Sequence, residues 1–346
     1  MDKEQFFEII RQIPKAEIHI HLENFLAGQG AKEASVSSLS DFVVLFRSVQ
    51  DSVKVINDMS IAFKNIVRYM KKNGIVYAEV FFSPGRYVRE SGWSYKELIK
   101  FFEKFSRDIK RRQGFEIKYI VDVSRSHGVE IASTVLDMVT QNKSEYVLGI
   151  GLGGDEIAGP ARNFTELFKR AREYGLRTVA HAGEADGPHS IFDAVELLGA
   201  ERIGHATSAG EDPKILELLI KRQIPIEVAL TSNLVTGRYV KDIVTHPLKK
   251  YLEEGAFITL NTDDPTIFNT SLLQEYWNLY NKIGYDIRHL YFIIVNGFQA
   301  SFLPERRKRE YIKMVNKMWS RSVQLNPNLV AGGLQEMGIK FKGELI

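Results

Sequence analysis

Short apolar runs rich in β-branched residues recur along the chain, and amphipathic stretches lie between most of them. The runs at 17–22, 75–82, 118–123, 147–152, 177–180, 202–204, 225–229 and 257–261 predict strands. Phe63, Ile66, Val67 and Met70 fall at i, i+3, i+4 and i+7, the stripe of a half-buried helix, and Asn73-Gly74 supplies its stop. Leu98, Phe101, Phe102 and Phe105 repeat that stripe. Ile215, Leu218 and Leu219 predict a shorter helix opening at Asp212-Pro213, a capping carboxylate followed by a proline in the first turn. Alternation of this kind implies parallel strands joined by right-handed crossovers, and eight such units imply closure into a (β/α)8 TIM barrel. The residues after the last run read as extra C-terminal helices packed outside the barrel. No low-complexity linker interrupts the chain, so 1–346 is expected to form one domain.

The polar residues fall at telling places in that pattern. His19 and His21 end the first strand, His181 the fifth and His205 the sixth, while Asp263-Asp264 close the eighth. In a (β/α)8 barrel the C-terminal strand ends all face one mouth, where reacting groups collect. Two residues apart on a strand means one face, so both imidazoles of His19-Ile20-His21 point the same way. Three imidazoles and one carboxylate suit zinc and leave room for a water, whose pKa the ion lowers towards neutrality. Glu184, three residues past His181, sits near that metal without being a ligand, which suits proton transfer to a ring nitrogen. Its plainer reading is a carboxylate at a helix N-terminus. His205 is placed to polarise or deprotonate the water; its plainer reading is a structural histidine beside the ligands. Of Asp263 and Asp264, one can bind metal while the other faces substrate. The run Gly151-Leu152-Gly153-Gly154-Asp155-Glu156 lacks the Lys-Ser/Thr of a phosphate loop and the spacing of a dinucleotide fingerprint. It suits close backbone approach to a flat ligand, or a simple turn.

Composition narrows the choices. The 346 residues include no cysteine, which excludes disulfides, thiolate metal sites and cysteine nucleophiles. With 46 Lys and Arg against 43 Asp and Glu, the net charge of +3 gives no reason to expect nucleic acid or an anionic membrane as partner. The basic runs at 110–112 and 306–309 lie among apolar residues at helical spacing and read as solvated helix faces. The N-terminus MDKEQFFEII is not a signal peptide, and no apolar stretch is long enough to span a membrane. A cytoplasmic enzyme acting on a small molecule is the expectation.

Several segments together resemble the adenosine deaminase family of the amidohydrolase superfamily. They are PKAEIHIHLEN at 14–24, EVFFSP at 79–84, GLGGDE at 151–156, HAGEADGP at 181–188, GAERIGHATS at 199–208, LTSN at 230–233 and NTDDP at 261–265. The resemblance implies one zinc ion bound by His19, His21, His181 and Asp263, with Glu184 and His205 as catalytic residues. Glu184 would protonate purine N1 and His205 would orient and activate the water. His21, Glu23, Gly154 and Asp264 would lie against the substrate, Asp264 at N7 and the Gly154 N–H at N3. The implied reaction is hydrolytic deamination of adenosine or deoxyadenosine to an inosine and ammonia. Family members usually carry Asp-Gly where this chain has Glu23-Asn24, and that Asp contacts the ribose 5′-hydroxyl. The stretch 27–40 is also shorter than the usual lid, and Ala206 stands where Gly is common. These departures keep open a bulkier 5′ group, as in aminofutalosine deaminases; adenine deamination is a third reading. Ester or amide hydrolysis is permitted by fold alone, but the set Glu184, His205 and Asp264 argues against it. A non-catalytic binding barrel would be expected to lack one of these groups, and all are present.

Overall fold

The predicted strands close into a ring. The computed structural model describes residues 1–27, 38–236 and 238–325. The first half runs α1 (Lys3–Gln12), β1 (Lys15–His21), α2 (Leu39–Asp51), α3 (Met59–Asn73), β2 (Ile75–Phe82), α4 (Pro84–Ser91), α5 (Tyr95–Gln113), β3 (Glu116–Asp122), α6 (Gly128–Gln141) and β4 (Val147–Leu152). The second half runs α7 (Thr165–Glu173), β5 (Arg177–Ala182), α8 (Pro188–Glu196), β6 (Arg202–His205), α9 (Pro213–Arg222), β7 (Ile226–Val228), α10 (Leu230–Thr236), α11 (Leu248–Glu253), β8 (Ile258–Leu260), α12 (Leu272–Asn278), α13 (Ile287–Ala300) and α14 (Glu305–Leu325). The strands pair in parallel in chain order from β1 to β8, so the fold is a (β/α)8 barrel.

Local chemistry explains the element ends. Gly74 stops α3 at φ +68°, and a Cβ there would meet the Arg11 carbonyl oxygen at 2.0 Å. Asp212 caps α9 by accepting from the Lys214 N–H at 2.9 Å, with Pro213 in the first turn. The strands β7 and β8 are shorter than the runs at 225–229 and 257–261 that announce them. Pro225 has no N–H to give a ladder, and Leu230 already begins α10. In turn β3 starts earlier, at Glu116, and β5 runs on to Ala182.

Closure between β8 and β1 depends on side chains. The two strands share one bridge, Ile20 with Asp263. Around it the His21 N–H donates to the Asp263 carbonyl at 3.0 Å and the Asp263 N–H to the His19 carbonyl at 3.1 Å. The Asn261 side-chain oxygen accepts from the Ile18 and His19 N–H groups at 3.0 and 3.1 Å, in place of a missing ladder. Outside the seam, α13 packs across both strands. Its Gly297 lies where a Cβ would meet the Ala16 carbonyl oxygen at 3.1 Å, and Asn296 donates to the Ile258 carbonyl at 2.9 Å.

An ionic cluster lies in the buried interior. Arg202 on β6 pairs with Glu79 on β2 and, through Nε, with Glu227 Oε1 on β7 at 2.6 Å. Its guanidinium stacks over the Phe302 ring at 3.9 Å. All three charged side chains are fully buried, so each needs the others. No helix among the described residues is long and apolar enough to cross a membrane.

Candidate active site

Residues from β1, from the ends of β5 and β6 and from the loop after β8 meet at the C-terminal mouth of the barrel. His21 Nε2 lies 3.2 Å from Asp263 Oδ1 and 3.3 Å from His181 Nε2, and His19 Nε2 lies 3.4 Å from the same Asp263 oxygen. Ligands about 2.0–2.1 Å from a tetrahedral ion stand about 3.3 Å from each other, so this spacing fits a shared metal. The proton bookkeeping agrees. His19 Nδ1 is held by Glu227 Oε2 at 2.7 Å, and its buried Nε2 has no hydrogen-bond partner. That carboxylate–imidazole contact orients the ring and leaves Nε2 facing the cluster. Ser232 donates to Asp263 Oδ2 at 2.7 Å, leaving Oδ1 for the cluster. Burial opposes charge on His19, but Asp263 and Glu227 outweigh it and lift its pKa to about 9. The two carboxylates thus favour positive charge at the His19 end of the cluster.

His205 also lies within the same few ångströms, its ligand atom within 4.8 Å of those of His19, His181 and Asp263. A chain of hydrogen bonds separates its role from theirs. Leu248 N–H donates to His246 Nδ1 at 3.0 Å, so neutral His246 carries its proton on Nε2 and donates to Asn233 Oδ1 at 3.2 Å. Asn233 Nδ2 then donates to His205 Nδ1 at 2.8 Å. Burial holds both imidazoles neutral, each lowered to about 3. His205 thus keeps its proton on Nε2, which faces Glu184 Oε2 at 3.6 Å and offers a metal no lone pair there.

Glu184 is buried, and burial, followed by the charges of Asp263 and Glu156, raises its pKa to about 8. Both influences favour its acid form, the form able to give a proton. Its loop is held by Glu156, which accepts from the N–H groups of Gly183, Glu184, Ala185 and Asp186 and from the Ser190 hydroxyl. Asp264 is fully buried with neither carboxyl oxygen hydrogen-bonded, and burial beside Asp263 pushes it well above the carboxylate range.

These groups line one end of a cleft of about 660 Å3, open at its mouth. Its lining includes His21, Gly154, His181, Glu184, His205, Asp263 and Asp264. Gly154, at φ +96°, would bring a Cβ to 2.6 Å from the Ser126 hydroxyl, so only glycine fits there. Helix α2 forms a wall with Phe42, Phe46, Arg47 and Gln50. Most of the short stretch 27–40, namely 28–37, lies outside the described residues. Glu23 is not in the lining. It is fully buried, and its Oε1 accepts from the Ser83 N–H at 2.8 Å and from Gln50 at 3.4 Å. Asn24 links the end of β1 to the loop after β8, donating to the His21 carbonyl and accepting from the Thr266 N–H at 2.9 Å.

A family model described as adenosine deaminase matches residues 26–318. The chain belongs to the adenosine deaminase family. It is 31% identical to an aminodeoxyfutalosine deaminase of Streptomyces avermitilis, over 86% of this chain and 89% of that protein. It is 34% identical to an adenosine deaminase of Salmonella newport, over 79% of this chain and 82% of that protein. Among solved structures, the adenine deaminase of Arthrobacter aurescens shares the fold with a TM-score of 0.83 at 24% identity, covering 89% of this chain and 99% of that one. A Burkholderia ambifaria amidohydrolase solved with bound Zn matches with a TM-score of 0.82 at 21% identity, covering 92% of this chain and 94% of that one. As a member of the adenosine deaminase family this protein is a hydrolytic deaminase of purine compounds, and family members depend on a metal.

For this deaminase, sequence reasoning missed the residues that hold the others in place. Glu227, Asn233, His246, Arg125 and Asn261 had no assigned role. Arg125 is buried and donates to the Leu152, Gly159 and His181 carbonyls, tying the ends of β4 and β5. Glu227 left a readable signal, a carboxylate in the middle of the apolar run at 225–229. Asn233 and His246 left little, because they meet across an intervening stretch of chain.

Proposed function

We propose that this enzyme removes the 6-amino group of a 6-aminopurine nucleoside, turning adenosine or deoxyadenosine into the corresponding inosine and ammonia. The observation that carries this reading is a buried Glu184 facing the cleft beside His205 and the four-donor cluster, in surroundings that push its carboxyl towards the acid form. His19, His21, His181 and Asp263 would hold one metal ion, and three imidazoles with one carboxylate favour zinc. The Zn bound in the Burkholderia ambifaria amidohydrolase, which shares this fold, supports that choice. When bound, the ion supplies Lewis acidity that makes hydroxide available at neutral pH.

The remaining steps belong to the chain. Asp264, kept protonated by burial, donates to purine N7, and the Gly154 N–H serves N3. Glu184 gives its proton to N1 as the water oxygen adds at C6, relieving charge on the ring. His205 donates from Nε2 to the attacking oxygen and so orients it, its tautomer set through Asn233 and His246. Glu184, left as a carboxylate, then takes the proton of the added hydroxyl and passes it to the departing nitrogen. The C6–N6 bond breaks as the C6 carbonyl forms, ammonia leaves, and the proton released when the water became hydroxide restores the Glu184 acid.

The test is a panel of adenosine, deoxyadenosine and adenine, followed by loss of the adenine chromophore. Glu184→Gln should keep its metal by elemental analysis while losing about 10²- to 10⁴-fold in turnover. Near-normal turnover in that variant would remove Glu184 from the mechanism.

A further inference from the structure

We propose that Arg202 is a positioning residue for the metal centre: it holds Glu227 where that carboxylate orients the His19 ring, and the segment between α13 and α14 holds Arg202 in turn. The proposal rests on the reading that His19, His21, His181 and Asp263 share one ion. A path of contacts inside the barrel links the end opposite the cleft to that cluster.

The path begins at the N-terminal end of the barrel. Arg177 and Arg202 are the first residues of β5 and β6, and the Phe302 ring lies against both, 4.8 and 3.9 Å from their guanidiniums. The Phe302 N–H donates to Glu79 Oε1 at 2.6 Å, and the Ala300 carbonyl accepts from Arg202 Nη1 at 3.2 Å. Tyr77 adds its hydroxyl to the same Glu79 oxygen at 2.7 Å. Arg202 therefore has one carboxylate at Nη1, another at Nε and an aromatic ring against its face, which fixes the guanidinium in place and in orientation. Glu227 gives Oε1 to that guanidinium at 2.6 Å and Oε2 to His19 Nδ1 at 2.7 Å. One rigid carboxyl group thus touches both cation and imidazole, so a shift of Arg202 moves the oxygen that orients the ring.

An apolar path runs beside the polar one. Phe302 packs against the buried Phe81, Ile120 and Val179, and the centre of the Phe81 ring lies 5.1, 5.2 and 5.6 Å from those of His19, His21 and His181. Room there is limited, since a Cβ on Gly151 would come within 2.6 Å of the Phe81 ring. The segment at the far end of the barrel therefore bears on the ligand imidazoles through a carboxylate on one side and an aromatic ring on another. A cluster built only for stability has no need of this continuity. Well-packed apolar side chains would fill the same space without taking three charges out of water. A carboxylate on the second ring nitrogen of a ligand sets its orientation and its strength as a donor, and losing such a partner weakens metal binding about 10- to 100-fold.

The experiment measures the zinc affinity of the full chain by chelator competition and the visible ligand-field spectrum of its cobalt-substituted form. Arg202→Met should weaken zinc binding by about 10- to 100-fold. Arg202→Lys should weaken it by less, because lysine keeps the charge but not the fork that reaches both carboxylates. Both variants should shift the cobalt spectrum, and excess zinc should restore much of their lost turnover. Glu227→Gln should behave in the same way, and adding Arg202→Lys to it should cost little more, since the two act along one path. Arg202→Met leaves two buried carboxylates without their cation, so Arg202→Lys and Glu227→Gln keep the test decisive if that variant does not fold. An Arg202→Lys chain with a lower Tm but unchanged zinc affinity and cobalt spectrum would make Arg202 a structural residue only, overturning the proposal and leaving the metal reading standing. Fully additive losses in the double variant would do the same. An unaltered chain that binds neither zinc nor cobalt would overturn the metal reading and this proposal with it.

Discussion

Backbone strain collects at the residues nearest the proposed chemistry. His205, Ala206 and Asp263 adopt φ of +67°, +49° and +63°, a region that costs a side-chain-bearing residue about 1–2 kcal/mol. Neighbouring strands hold them there. The Ala206 N–H donates to the Ala182 carbonyl at 3.0 Å, and Asp263 is bonded on both sides to β1. The unusual backbone turns His205 and Asp263 out of regular strand geometry and into the cluster. Space is equally limited, since a Cβ on Gly204 would come within 2.7 Å of the His19 ring. The pH dependence belongs to this scale. Glu184 must be protonated to act, and its pKa is raised to about 8, so its acid form persists at neutral pH and is lost as pH rises through that value. The kcat/KM profile should fall about tenfold per unit as pH rises past about 8; a profile that climbs through that range would contradict the assigned proton donor. That His19, His21, His181, Glu184, His205 and Asp263 meet at one mouth was legible in the sequence because strand ends are readable. The orientation of Glu23 was not, because it depends on Gln50 and Ser83 arriving from other elements.

Among the elements, the seam between β8 and β1 matters most to the site. β1 carries His19 and His21, and its hold on β8 is one bridge assisted by Asn261. Asn261→Ala would leave two buried N–H groups without an acceptor, at about 1–3 kcal/mol each. We expect a lower urea midpoint together with weaker metal retention, measured by chelator competition; an unchanged midpoint would show that the ladder closes without the amide. The strands themselves were legible from apolar periodicity, and their ends shifted by a few residues because proline and the following helix decide where ladder bonds stop. That Asn261 substitutes for a ladder was hidden, since its partners lie more than two hundred residues away in the chain.

For the whole molecule, a bound metal would join β1 and β5 to the loop after β8, tying together segments far apart in the chain. Removing it should therefore lower Tm by several degrees, since a ligand at a thousand times its Kd stabilises the folded state by about 4 kcal/mol. Calorimetry before and after chelation, with zinc then restored, measures this. A Tm indifferent to chelation would mean that these side chains do not share an ion in the folded enzyme. The amino-acid order by itself determined the barrel class, the absence of cysteine chemistry and the residues poised at the strand ends, because alternation, helical stripes and residue type act over a few neighbours. Only the folded arrangement decided which carboxylates burial pushes towards the acid form and which imidazole nitrogen faces the cluster. Those properties are set by burial and by charges from other elements, and through space such fields act without regard to distance along the chain.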